Sequence, residues 1–367
     1  MLLEKPTWLY LFSLTVNSNL LNDNKCFEKE NLEFRNLTIL TGTNASGKSS
    51  VIQALLQLAL HANNDYSSPL AHYLNFIAEF DETINFNMDV DEYKLVLNGF
   101  DNTLEYLFKR DGDIINLQNF QSIEEKLSYS KGNLVFLSAD RMGPQDTYSK
   151  NTNPLDRFGI VGEYAISFLE KARRNREEII DDLVHDRNTR KVLDSQVNYW
   201  LGYILDTEIK TEEIKGTNQV KAEFKNGNAF VRPKNIGSGI SYLASILIIC
   251  LSAQKNHIII IENPEIHLHP QAQSKIGEFL AFVASKGVQI IIETHNDHLI
   301  NRLRYEVYKD RIAPEQVIIH YKEKETPFEQ IEIDSNGKFR DKNGENAFPK
   351  GFYDATLKEI FEINRGK

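Results

Sequence analysis

Gly42-Thr43-Asn44-Ala45-Ser46-Gly47-Lys48-Ser49, followed at once by Ser50-Val51-Ile52-Gln53-Ala54-Leu55-Leu56, decides how the rest of the chain reads. The pattern G-x-x-x-x-G-K-[ST] places two glycines where the backbone turns tightly, so that successive N–H groups converge on an anion. Lys48 adds a point charge for the β- and γ-phosphates of a nucleotide, and Ser49 a hydroxyl for Mg²⁺. The helix beginning there aims the positive end of its dipole at the same anion. Leu37-Thr38-Ile39-Leu40 reads as a short buried strand entering the loop, and residues 51–60 are apolar almost all round, as a helix buried on two sides is. Gly42 to Ser50 are therefore the candidate phosphate-binding residues, and a nucleoside triphosphate is the expected ligand.

The 367 residues suffice for a sizeable core. A net charge of −10 argues against a broadly basic nucleic-acid-binding face and leaves a local patch open. Cys26 and Cys250 lie far apart and read as small buried hydrophobes, with no Cys-x-x-Cys zinc pattern. Met1 to Lys5 leads into Pro6-Thr7-Trp8 without a small-residue cleavage site, and the longest apolar run, Tyr242 to Ala253, is too short to span a bilayer. A cytoplasmic protein that does not enter membranes is expected.

Along the chain, Trp8 to Val16 alternates as a strand does, with Leu32-Glu33-Phe34 ending its partner. Between about 73 and 130 four short alternating runs, Phe76–Phe80, Ile84–Met88, Tyr93–Leu97 and Leu104–Phe108, are separated by turns such as Asn98-Gly99. They predict an antiparallel meander with one wet face. Leu134–Leu137 reads as a buried strand ahead of Arg141. From about 160 to 206 the period becomes helical, with stripes at Tyr164, Phe168 and Leu169, at Ile179, Ile180 and Leu183, and at Val197, Trp200, Leu201 and Ile204. Lys171, Arg173, Arg174, Arg176, Arg187, Arg190 and Lys191 alternate there with acids. That mixture fits either a solvated face laced with ion pairs or a nucleic-acid or partner surface. No heptad repeat predicts a long coiled-coil arm. A hairpin at Asn226-Gly227 comes next, then Gly237-Ser238-Gly239 opening an apolar helix. The strand Ile258–Ile261 follows, and then a helix with Ile276, Phe279, Leu280 and Val283 on one face, started by Pro270 and stopped before Gly287.

A P-loop enzyme needs a second Mg²⁺ anchor, an acid at the end of an apolar strand beside the P-loop strand. Glu262, directly after four isoleucines, fits. With Gly237-Ser238-Gly239 as a glycine-rich signature, Glu262-Asn263-Pro264-Glu265 as a Walker-B loop and His295 after a second apolar strand, the order of parts resembles an ABC-type ATPase of the RecF, SMC and OLD branches. Glu-Asn-Pro-Glu-Ile-His-Leu-His-Pro at 262–270 and Glu-Thr-His-Asn-Asp-His-Leu at 293–299 resemble the bacterial OLD and anti-phage-defence ATPases in particular. Phe348-Pro349-Lys350-Gly351-Phe352-Tyr353-Asp354 resembles a C-terminal domain of unknown function that many of these carry.

The resemblance implies an α/β fold: an ABC-type P-loop ATPase with a mixed central sheet, an antiparallel β subdomain and a helical insertion. The ATPase domain is placed at 1–305 and a small C-terminal domain at 306–367. It also implies ATP and Mg²⁺ as cofactors, and Ser49 and Glu262 as metal ligands. Glu262, Glu265 and His295 are the catalytic candidates, with His295 sensing the γ-phosphate. A signature at the start of a helix of ~15 residues, roughly 22 Å long, lies too far from its own P-loop to share a phosphate. Ser238 would then face the nucleotide of a second subunit, so a homodimer or higher oligomer is expected. The catalytic glutamate of the ABC pattern is replaced by Asn263, an amide that orients water and takes no proton. Either Glu265 substitutes as base, or turnover is slow and the protein is a nucleotide-switched scaffold. Arg141 reaches phosphate or pairs with an acid. His267 and His269 read as structural rather than as metal ligands.

OLD proteins carry a Toprim nuclease after the ATPase. No Asp-x-Asp follows His295, so that nuclease is not expected and a separately encoded effector in anti-phage defence is. A RecF- or SMC-like DNA-repair ATPase is the alternative, and DNA stays open as a partner.

Overall fold

A run of four isoleucines is stable only in a strand covered on both faces. The computed structural model describes residues 12–17, 29–77, 91–99, 102–118, 125–153, 157–185, 189–324 and 326–346. It places the isoleucines in β12 (Ile258–Glu262), inside a seven-stranded central sheet. Its other strands are β3 (Leu37–Gly42), β7 (Leu134–Leu137), β13 (Gln289–Glu293), β14 (Val317–Lys322), β15 (Glu329–Ile333) and β16 (Phe339–Arg340). The order is β16-β15-β14-β3-β13-β12-β7. The strands from β14 to β7 are parallel, and β15 and β16 add on antiparallel.

Alternate side chains feed two cores. Leu37, Ile39, Ile259, Ile261, Ile290 and Ile292 pack towards one face. There they meet α3 (Ala165–Asn175), α4 (Leu193–Leu205), α5 (Ser238–Leu251), α6 (Pro270–Ser285) and α7 (Asp297–Tyr308). Leu40, Ile258, Ile260 and Ile291 point the other way, to α1 (Lys48–Asn63) and α2 (Pro69–Ile77). Beyond these helices lies an antiparallel sheet of β1 (Phe12–Asn17), β2 (Lys29–Phe34), β4 (Glu92–Gly99), β5 (Asn102–Lys109) and β6 (Ile114–Gln118), ordered β2-β1-β4-β5-β6. A small third sheet holds β10 (Gln219–Asn226) against β8 (Thr147–Ser149), β9 (Ile209–Glu213) and β11 (Ala229–Val231). The longest helices among the described residues, α1 and α6, have 16 residues each, too short for a coiled-coil arm.

Four expectations change. Phe76 and Ile77 close α2 rather than opening the meander, which begins at β4; residues 78–90, with the Ile84–Met88 run, lie outside the described residues. Ile179 and Ile180 belong to no helix, and only a single 3-10 turn, Asp181–Leu183, follows them. The strand beside β3 is β13, so β12 and Glu262 stand one strand further out than expected. Finally, β14 pairs with β3 itself, so the described residues past 316 continue the central sheet rather than forming a body apart. The 348–354 motif, Cys26 and Arg187 lie outside the described residues. Cys250 is fully buried, as expected. No described helix is long and apolar enough to cross a membrane.

Candidate nucleotide site

Parallel strands all end on one edge, and here that edge carries the P-loop and the acids. Gly42, at φ +137°, passes so close to β14 that a Cβ would stand 2.0 Å from the Lys322 carbonyl oxygen. That same oxygen accepts the Thr43 N–H at 3.0 Å. Gly47, at φ +98°, turns the chain into α1 with no side chain capping the first turn, which leaves the helix N–H groups directed at the loop's hollow. Lys48 is buried, and its Nζ donates to the Thr43 carbonyl at 2.6 Å and the Ser46 hydroxyl at 3.5 Å. Burial pulls its pKa below the usual lysine value, and the charge of Glu293 opposes that shift.

The acid nearest the loop is Glu293, which the sequence reading did not single out. The Ser49 hydroxyl lies 3.1 and 2.9 Å from its two carboxylate oxygens. Glu262 is the in-register neighbour of Glu293 on the adjacent strand. Its carboxylate accepts the Ala139 N–H at 2.9 Å and a hydrogen bond from Ser138. Burial raises the pKa of both acids, and for Glu262 the charge of Glu293 adds to the rise. Two buried carboxylates at neighbouring strand ends, beside a serine hydroxyl and a helix N-terminus, have the donor chemistry of a Mg²⁺-phosphate site. Tyr73, hydrogen-bonded to Ser138, closes this corner, and burial pushes its phenol up to about 12. One signal for Glu293 was present in the sequence, because the apolar strand at 288–292 ends in an acid just as Ile258–Ile261 does.

Past β12 the chain turns sharply. Asn263 adopts φ +43°, a left-handed conformation that asparagine accepts more readily than glutamate. Its N–H donates to the Glu293 carbonyl at 2.7 Å. The turn sends Glu265 inward, where Oε1 accepts the Thr294 hydroxyl at 2.7 Å and Oε2 is buried without a protein partner. The His295 backbone also hydrogen-bonds to this carboxylate, whose pKa burial raises. The structure thus brings Glu265, Thr294 and His295 together. His295 is exposed at the mouth, hydrogen-bonded to the Gly42 backbone and held below the usual histidine value by partial burial and the nearby Lys48.

Arg141 makes no side-chain ion pair among the described residues, although the charges of Glu265 and Glu262 act on it. Its guanidinium donates to the backbone carbonyls of Asn263, at 3.1 Å, and of Glu262, so it holds the acid-bearing turn in place. Burial lowers its pKa to about 10. Gly237, Ser238 and Gly239 begin α5, and Gly239 lies against the His267 carbonyl, where a Cβ would come within 2.4 Å. The signature therefore packs on the loop two residues past Glu265, while Gly237 stays exposed with open space around it. His269 caps α6 by accepting the Gln271 N–H, and His267 stacks on Tyr242, as structural histidines do. No metal-binding group of three or more His, Cys, Asp or Glu occurs among the described residues.

Residues 37–301 match the family described as "AAA domain, putative AbiEii toxin, Type IV TA system". The chain belongs to this AAA-domain family. It is also 25% identical over 316 residues to the Old nuclease of Escherichia phage P2, covering 73% of this chain and 54% of the relative. The chain thus spans about half the length of that curated relative. Among solved structures it resembles an Smc head bound to the C-winged helix domain of ScpA, with TM-score 0.55 and 14% identity over 89% of this chain and 98% of that one. An Smc head with a coiled coil and joint from Pyrococcus yayanosii gives TM-score 0.56 and 10% identity, over 96% and 100%. The fold is that of the ABC-type P-loop ATPases, in the RecF, SMC and OLD branch.

Proposed function

We propose that this protein is an ATPase that binds MgATP on the P-loop, dimerises around it and controls a separately encoded effector in anti-phage defence. The observation that carries the ATPase part is the contact of the Ser49 hydroxyl with Glu293 at the mouth of the loop, beside Glu262. In this reading Ser49, Glu293 and Glu262 hold Mg²⁺ directly or through its water, the loop N–H groups and Lys48 hold the phosphates, and Glu265 accepts the proton of the attacking water. Bound MgATP supplies the phosphoanhydride that is cleaved. The position of Glu265 supports the base role, since its carboxylate sits with Thr294 and His295 at the site and burial raises its proton affinity. His295 is suited to follow the γ-phosphate. The exposed Gly237 and half-buried Ser238 at the start of α5 support presentation of Ser238 to a second copy.

The defence role is supported by likeness to the phage P2 Old nuclease and by the family's description. The left-handed Asn263 favours a second reading, a slow nucleotide switch, because no acid occupies the position next to Glu262. The test has two parts. ATP binding and single-turnover hydrolysis by the purified protein establish or reject the ATPase. Co-purification with the products of neighbouring genes, with and without ATP, then identifies the effector. A chain that binds ATP yet brings down no neighbour under either condition removes the effector role and leaves the ATPase standing.

A further inference from the structure

A cavity of about 940 Å³ lies far from the nucleotide edge. Ser130 to Gly132 line it and precede β7, so it opens at the amino end of the parallel sheet, opposite the P-loop. Its remaining walls come from Lys150 to Asn153 after β8, from α3, and from Glu213 and Val220 of the third sheet. Five cations, Lys131, Lys150, Arg157, Lys171 and Arg174, face two carboxylates, Glu170 and Glu213. Both carboxylates are already engaged: Glu213 by Lys150 and Arg174, and Glu170 by Arg173 at 2.9 Å and by the Thr211 hydroxyl at 2.7 Å. Among the described lining residues a positive surplus of three remains, in a chain whose net charge is −10.

Arg157 is the unusual member. Its guanidinium lies over the rings of Phe168, at 4.6 Å, and Phe158, at 5.0 Å, and these two rings meet edge-on at 4.9 Å. The side chain is half-buried, and no hydrogen bond or ion pair of its guanidinium occurs among the described residues. Burial lowers its pKa, and only the more distant charge of Glu177 opposes this. A planar fork of five donors, fixed by two aromatic rings and turned to a cavity, is built for a planar or tetrahedral oxyanion. Asn151, Thr152 and Asn153 on the wall add polar groups suited to a sugar or a base, and Phe168 an apolar surface. The volume is at the upper end for a small-molecule site.

We infer that this cavity is a second binding site, separate from the P-loop, for a phosphate ester, either a free nucleotide or the phosphate of a nucleic-acid strand, held by Arg157. The test uses the full chain carrying Lys48→Ala, so that P-loop binding does not contribute. Equilibrium binding is measured for AMP and for a 5′-phosphorylated thymidine dodecamer. At least one probe should bind this protein, and Arg157→Gln should weaken it about tenfold or more, the worth of a charge-assisted hydrogen bond. Lys171→Glu, on an exposed position where folding is not at stake, should weaken it in the same direction. If AMP binds and the dodecamer does not, the ligand is a small nucleotide. If the dodecamer binds with a steep salt dependence and AMP only competes weakly, the source is nucleic acid. Binding of neither probe, or affinities unchanged in both variants when these melt as the parent does, overturns the inference. Because the P-loop is disabled throughout, failure here leaves the ATPase reading untouched.

Discussion

The P-loop and the acid edge stand at the same end of the same sheet, yet they are built by opposite means. Everything the loop needs is local. Gly42, Gly47, Lys48 and Ser49 fall within eight residues, and the backbone between them forms the cradle. The acid edge is assembled from two segments apart in sequence, Glu262 to Glu265 and Glu293, set by the register of β12 on β13 and by one left-handed turn. A local device concentrates its function in few atoms, whereas an assembled one spreads it. The sharpest way to break this contrast is to remove the loop's cation. Lys48→Ala should abolish ATP binding in equilibrium titrations, because no other fixed cation in the loop replaces it. ATP affinity that survives the change would mean that the loop is not the phosphate site.

The same contrast explains what was legible in the sequence. The P-loop strand and helix, the hairpin at Asn226-Gly227 and the Pro270-to-Gly287 helix carry local signals, and the structure has them where the pattern puts them. β4 and β5 are also present, but Asn98-Gly99 lies within β4, paired with Thr103 and Asn102, rather than in the turn between them. Sheet order carries no local signal. That β13 intervenes between β3 and β12 follows from three-dimensional packing, so the sequence pointed to Glu262 and passed over Glu293, which meets Ser49. Arg141 was ambiguous for the same reason, since its partners are backbone carbonyls, which leave no trace in composition.

Within the assembled edge, Glu265 should dominate. Glu265→Gln should keep ATP binding and lower single-turnover hydrolysis by roughly 10²-fold or more, a general-base contribution. Hydrolysis at the wild-type rate in a folded, ATP-binding variant would falsify the base assignment. Asn263→Glu sharpens the point. It supplies the acid of the ABC pattern but forces a glutamate to φ +43°, so any gain in turnover must come with a lower melting temperature. A smaller effect is expected at the signature. Ser238→Arg should weaken the ATP-dependent dimer about tenfold or more through bulk and charge, leaving monomer ATP binding intact. Identical sedimentation with and without ATP in both proteins would remove the composite site.

The smallest effect concerns stability, and it turns on pH. The folded-state pKa of Glu293 is raised above the ordinary carboxylate value of 4.5, chiefly by burial. A group of this kind binds its proton more tightly in the folded protein than in the unfolded chain. Its favourable contribution is therefore complete below pH 4.5 and is lost as pH rises through the elevated folded value. Glutamine keeps the shape and an oxygen that accepts from Ser49, without the charge. Without nucleotide, Glu293→Gln should melt with the wild type near pH 4.5 and above it at neutral pH, by on the order of one or two degrees. With MgATP the order should reverse, because the wild-type carboxylate regains in cation binding what it lost by burial. A melting difference that ignores pH in the nucleotide-free protein would show that Glu293 is not a carboxylate held ready for a cation. A Glu293→Gln protein stabilised by MgATP as much as the wild type would return the metal to Glu262 alone, and the acid edge would then depend on a single residue, as the P-loop depends on Lys48.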